Sequence, residues 1–149
     1  MLDPMIAFAE LGELASDVRR VFEELERRHP AGCRTTAGEC APDLDVFELP
    51  NAYQIHVDLP GVSRDSVRVF IKAGTIVVAG EKLPPDPVTG SATTYHRVER
   101  SFGRFARAAR LPGAIDAAGS RASLRGGELI VLVPRIPDRR GKEIEIVIE

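Results

Sequence analysis

The chain has 149 residues, which suits one domain with tails. Charged residues make up 28% and hydrophobic ones 44%, the balance of a soluble globular protein, and a net charge of -2 with a pI near 6.0 leaves no basic footprint for nucleic acid. There is no Trp and aromatic residues are only 5%, so the core must be built from Val, Ile and Leu.

The opening MLDPMIAFAE carries Asp3 and Glu10, with Glu13 close by and no basic start, so it does not read as a secretory signal. No apolar run approaches the ~20 residues that a membrane span needs. A cytoplasmic protein is expected. Residues 11–28 predict an amphipathic helix. Leu11, Leu14, Val18, Val21, Phe22 and Leu25 fall on one stripe, while Asp17, Arg19, Arg20, Glu23, Glu24 and Arg27 cover the other faces. His29-Pro30-Ala31-Gly32 ends it. Residues 30–43, rich in Pro, Gly, Thr and Ala, predict a linker. Cys33 and Cys40, the only cysteines, lie within it. A zinc site would need more ligands than His29 can add, so two reduced thiols are expected, with a redox-sensitive disulfide as the sharper alternative.

From Leu44 the pattern changes to short alternating runs separated by turns. They are LDVFELP, AYQIHVDLP, VRVFIK, TIVVAGEK, TYHRVER, FARAARLP, SRASLRGG and ELIVLVP. Pro60-Gly61, Gly74 and Gly126-Gly127 mark turns, and LPPDPVTGSATT marks a long irregular loop. About eight short strands with no helix pattern between them predict an antiparallel β-sandwich with Greek-key crossings, because a parallel sheet would need long crossovers. The chain closes on a polar run, Asp138 to Lys142, and then GKEIEIVIE, whose Ile144, Ile146 and Ile148 share one face of an extended strand.

Five pieces of this sequence together resemble the alpha-crystallin domain of the small heat-shock proteins, bacterial type. They are Asp58-Leu59-Pro60-Gly61-Val62; Tyr95 to Gly103; Phe105 with Arg107, Leu111 and Pro112; Ala122 to Leu129, against the signature A-x-x-x-N-G-x-L; and Ile144-Glu145-Ile146, an I-x-I tail. Gly126 replaces the usual Asn, and a Gly tolerates the same left-handed turn. Ala109 stands where a large aromatic is common. The resemblance implies an immunoglobulin-like sandwich over residues 44–135, an N-terminal helical arm and linker over 1–43, and a C-terminal tail over 136–149.

It also implies an ATP-independent holdase that binds partly unfolded proteins under stress and works from dimers assembled into larger homo-oligomers. The segment Tyr95, His96, Arg97, Val98 and Glu99 would pair with a neighbour's first strand at Leu44, Val46 and Phe47, with Arg107 in a salt bridge across the dimer to an acid such as Asp58 or Glu99. The tail anchors Ile144, Ile146 and Ile148 would fill a groove lined by Val67, Val69, Ile71, Ala122 and Leu124. Leu11, Leu14, Val18, Phe22 and Leu25 would serve as a sequestered assembly and client-binding arm, set apart from the sandwich by the linker. The alternative use of such a helix is as a core element packed on it. No phosphate-binding Gly-rich motif or declared catalytic triad stands in the sequence, and no enzyme, cofactor, metal or membrane role is expected. His56 and His96 sit on polar faces and are expected at the surface. The competing function is a monomeric p23-like co-chaperone or adaptor, which would need neither the tail nor the exchange segment.

Overall fold

The computed structural model describes residues 6–28, 40–85, 94 and 96–137, with helix side chains from Leu14 onward. The tail anchors Ile144, Ile146 and Ile148, as well as Tyr95, Cys33 and His29, lie outside the described residues. One helix, α1 (Ile6–Arg28), precedes seven strands: β1 (Leu44–Glu48), β2 (Ala52–Asp58), β3 (Val67–Lys72), β4 (Thr75–Lys82), β5 (Gly103–Arg110), β6 (Arg121–Arg125) and β7 (Glu128–Pro134). A 3-10 turn, Arg64–Ser66, leads into β3. The helix begins earlier than residue 11, because Ile6, Ala7, Phe8 and Ala9 contain no breaker.

The strands form two antiparallel sheets, ordered β1-β2-β7-β6 and β3-β4-β5. This is the predicted sandwich. Period-two alternation sets which residues face inward. Tyr53, Ile55 and Val57 of β2 and Leu129, Val131 and Val133 of β7 meet Val67, Ile76, Val78 and Phe105 of the other sheet. Leu59 and Leu111 close the same core. The largest buried polar handle is satisfied: the Tyr53 hydroxyl donates to the Pro112 carbonyl at 2.8 Å, tying β2 to the turn after β5.

Gly126 and Gly127 both adopt positive φ, at 57° and 80°, and join β6 to β7 as a two-residue hairpin with Arg125 opposite Glu128. The Gly127 carbonyl accepts from the Leu59 amide at 2.7 Å, so this hairpin also holds the Pro60-Gly61 turn.

Two expectations need correction. TYHRVER does not add an eighth strand: His96–Arg100 take no strand geometry and are exposed. A strand needs a ladder partner, and none of the described residues supplies one to those residues. The linker also ends before residue 43. Pro42 is buried, its carbonyl accepts from Arg107 Nη1 at 2.6 Å, and the Asp43 carbonyl accepts from the Asp58 amide at 3.1 Å. Cys40, a free thiol, packs partly buried against the core.

Gly80 lets β4 approach the 3-10 turn. A Cβ there would lie 2.4 Å from the Ser66 carbonyl oxygen, 2.8 Å from Phe105 Cζ and 3.1 Å from Val67 Cα. Two of these neighbours are backbone and cannot swing away. Gly80→Ala is expected to cost about 1–3 kcal/mol by overpacking. Chemical denaturation of the variant would report this as a lower midpoint at unchanged slope, and an unchanged midpoint would refute the close packing.

Candidate functional site: open edges and a covered face

A sandwich exposes unpaired backbone at its edge strands. Here β1 and β6 bound one sheet, and β3 and β5 the other. The Arg107 hydrogen bond to Pro42, just before β1, places β5 beside β1. That leaves β3 and β6 as the two edges on the opposite side.

Along the β3/β6 side, Val69, Ile71 and Leu124 are only partly buried where they pack on the core. Ala122, on the same inward face of β6, is exposed. Of the five residues expected to line a groove, three are thus partly buried on edge strands and one is exposed. Val67 does not join them. At 8% exposure it belongs to the core, because the 3-10 turn covers the start of β3.

On the other side, β1 pairs only with β2 and leaves Val46 at 40% and Phe47 at 48% exposed. Leu44 is partly buried on the core. Phe47 meets the His56 ring edge-on at 5.2 Å. His56 is not the free surface histidine expected from its strand face: it is half-buried, with Nδ1 on Glu128 Oε1 at 2.5 Å and Nε2 on Gln54 at 2.8 Å. Register explains this, because His56 lies between β1 and β7 on the outer face, beside Glu128. Asp43, Asp45 and Asp58 join Phe47, His56 and Glu128 around one shallow depression. His96, Arg97, Val98, Glu99 and Arg100 are all exposed, Val98 at 67%.

Arg107 engages its own chain through Pro42, and Glu99 pairs with Arg97 at 3.7 Å. The structure therefore gives Arg107 a partner without a second subunit.

The arm residues are placed differently from the expectation of a separate arm. Leu14, Val18, Val21 and Leu25 are buried against Val77 and Ala79 of β4, with Phe22, Phe70, Ala106 and Ala108 packed around them. Leu11 lies in α1, with its side chain outside the described residues. The helix thus covers the outer face of the β3-β4-β5 sheet. Full burial of such a side chain stabilises by ~1.5–3 kcal/mol before ordering costs, and an amphipathic stripe finds this bed unless something competes for it.

Ion pairs rim the helix-sheet junction. Asp17 Oδ2 accepts from Lys72 Nζ at 2.7 Å, Glu24 lies 3.9 Å from Arg68, and Glu26 lies 3.5 Å from Arg104. The Arg104 guanidinium also stacks over Phe22 at 5.4 Å, and its Nε is buried without a hydrogen-bond partner among the described residues. None of these six charges was singled out from sequence as a helix-sheet clamp. A signal was present: TIVVAGEK is apolar at both parities, the mark of a strand covered on both faces.

A family profile described as "Hsp20/alpha crystallin family" matches residues 45–149. The chain belongs to that family. It is 33% identical to the 16.9 kDa class I heat shock protein 1 of Triticum aestivum over 93% of each chain. It is also 33% identical to the 21.9 kDa heat shock protein of Oryza sativa subsp. japonica, over 91% of this chain and 72% of that one. Among solved structures, heat shock protein 16.0 of Schizosaccharomyces pombe superposes with a TM-score of 0.63 at 29% identity, covering 74% of this chain and all of that one. A small heat-shock protein from Xylella fastidiosa gives 0.61 at 27%, covering 74% and 99%. Matches from plants, a yeast and a bacterium alike give the bacterial-type label no separate standing within this small heat-shock protein family. No helix among the described residues is long and apolar enough to cross a membrane.

The Lys72 ammonium beside Asp17 holds its carboxyl below the usual value of 3.8, first through the hydrogen bond and then through charge, with Arg20 adding a smaller pull. A carboxylate with a lowered folded pKa stabilises above its ordinary pKa, and the contribution is lost as pH falls through the folded value. Docking of α1 is therefore expected to hold at neutral pH and to loosen below about pH 4. Energy transfer between labels on α1 and β5 would follow it. Asp17→Asn should weaken docking at neutral pH and flatten that acid step; an identical step in the variant would rule Asp17 out as its source.

Proposed function

We propose that this chain is an ATP-independent holdase that captures partly unfolded proteins and blocks their aggregation, working from homodimers built into larger oligomers in the cytoplasm. Membership of the small heat-shock protein family supports this reading. The single observation that carries it is the pair of open edges on opposite sides of one sandwich. The β1 edge exposes Val46 and Phe47 among acids, the β3/β6 edge leaves Val69, Ile71 and Leu124 partly covered, and each would take a different complementary segment of this polypeptide.

At the β1 edge the complement is a neighbour's segment 95–99. Val98 matches Val46 and Phe47 in character, and Arg97 and Arg100 match the acids Asp43, Asp45 and Asp58. Pairing there would supply a ladder partner that the described residues do not give His96–Arg100. Arg107 would add a salt bridge only by leaving Pro42. At the β3/β6 edge the complement is the tail. Ile144 and Ile146, or Ile146 and Ile148, can lie over Val69, Ile71, Ala122 and Leu124, since both pairs share a face and a two-residue slip interchanges them. The family match extends through residue 149 and so includes this tail. Two aliphatic anchors make a weak reversible bond, and many in one assembly make a strong one. Each release uncovers apolar groove to a client. The solved relative from Xylella fastidiosa is described as having a distinct high-order structure, which is the kind of assembly such interactions would build.

Light scattering tests the assembly. The intact chain should run far above dimer mass. Ile144→Ala with Ile146→Ala and Ile148→Ala should drop it to dimers, because no register then keeps two anchors. An unchanged mass in this triple variant would refute the tail bond, and a monomeric parent would refute the whole reading.

A further inference from the structure

The two strands that bound the β3/β6 side carry outward bases, and they use them differently. On β3 the bases are taken, Arg68 by Glu24 and Lys72 by Asp17 of the helix. On β6 they are not. Register puts Arg121, Ser123 and Arg125 on the outer face of β6, opposite Leu132, Ile130 and Glu128. All three are exposed, and neither arginine is paired among the described residues. Glu128, the acid directly across from Arg125, is turned to His56 instead. Two bases therefore stand four residues apart, about 13 Å along an extended strand. The same strand offers Ala122 and Leu124 on its inward face, and its far edge carries no ladder.

Such an edge accepts an added strand, whose backbone completes the ladder while its side chains alternate between the two faces. The tail has the matching pattern. Glu143, Glu145, Val147 and Glu149 occupy the face opposite to Ile144, Ile146 and Ile148. Glu145 and Glu149 share the four-residue spacing of the arginines. Laid antiparallel to β6, with Glu145 at Arg125 and Glu149 at Arg121, the tail carries Ile146 to Leu124 and Ile148 to Ala122. Parallel pairing exchanges the partners within each set and selects the same residues. A two-residue slip that brings in Ile144 keeps one direct ion pair, through Glu143, and leaves the other arginine facing Val147. Either register sets two isoleucines against the same inward residues, so the apolar contacts do not choose between them and the cross-strand charges do. We propose that Arg121 and Arg125 set the register of a neighbouring subunit's tail on β6, seating Ile146 and Ile148 in the groove and leaving Ile144 outside it. The inference rests on the tail bond proposed above and adds the residues that decide which segment of the tail makes it.

Light scattering of the full chain on dilution tests it, through the concentration at which the oligomers are half dissociated. Ile148→Ala should raise that concentration by about tenfold or more, whereas Ile144→Ala should leave it within about twofold of the parent. Arg121→Glu with Arg125→Glu should raise it several-fold, and adding Glu145→Arg with Glu149→Arg to the same chain should bring it back. Both arginines are exposed, so neither charge reversal disturbs the core. Ile144→Ala as damaging as Ile148→Ala would overturn the register while leaving the tail bond in place. Equal weakening by the arginine changes with and without the reversed acids would overturn it as well. No shift in either single isoleucine variant or in the triple alanine variant would overturn the tail bond itself, and the register with it.

Discussion

Strand β4 is buried on both faces, from Thr75 to Glu81. Ile76 and Val78 belong to the core between the sheets, while Val77 and Ala79 lie under the helix. A strand in that position cannot alternate apolar with polar, and this one does not. Its demands set much of what surrounds it. The inward face needs Gly80 so that the 3-10 turn and Phe105 can come close. The outward face needs a cover, because uncovered Val77, Ala79 and Phe70 would present an apolar patch to water or to other proteins. Helix α1 is that cover, and its acids are placed to meet the bases at the margins.

The sandwich was legible in the sequence because period-two alternation states both strand and face. AYQIHVD buries Tyr53, Ile55 and Val57, the three residues its alternation puts on one face, whereas ELIVLVP is apolar at both parities and its inward face is set by the structure. For the residues expected to line a groove, the sequence stated parity but not depth. Val69, Ile71 and Leu124 stand half-covered at an edge, but Val67 is core, since alternation gives the face of a side chain and not how far along the strand the opposite layer extends. The helix stripe shows the other limit. Leu14, Val18, Val21 and Leu25 declare that a face must be buried, but not against what. The answer lay in a different segment, in the missing polar parity of TIVVAGEK and in the small residues Ala106 and Ala108. TYHRVER erred in the opposite direction: alternation promised a strand whose ladder partner is not among the described residues. Arg107 and His56 escaped because their partners, Pro42 and Glu128, lie 65 and 72 residues away in sequence.

The pieces share one physical logic. Apolar surface is present at three places, the β1 edge, the β3/β6 edge and the bed of α1, and in each the proposed cover is a segment of the same polypeptide held by a few aliphatic side chains and exposed ion pairs. Exposed pairs contribute at most about 1 kcal/mol each, so the buried aliphatic side chains carry most of what holds each cover. A holdase needs surfaces of this kind: hidden when clients are folded, open when they are not, and requiring no nucleotide to open.

The central claim is that removable covers, and not an energy-consuming cycle, make this protein protective. Turbidity of a heat-denaturing client mixed with the intact chain, without any nucleotide, addresses it directly. Suppression of aggregation at about one subunit per client chain is the predicted result. Turbidity that rises as fast with the chain as without it, or that falls only when ATP is supplied, would contradict the account.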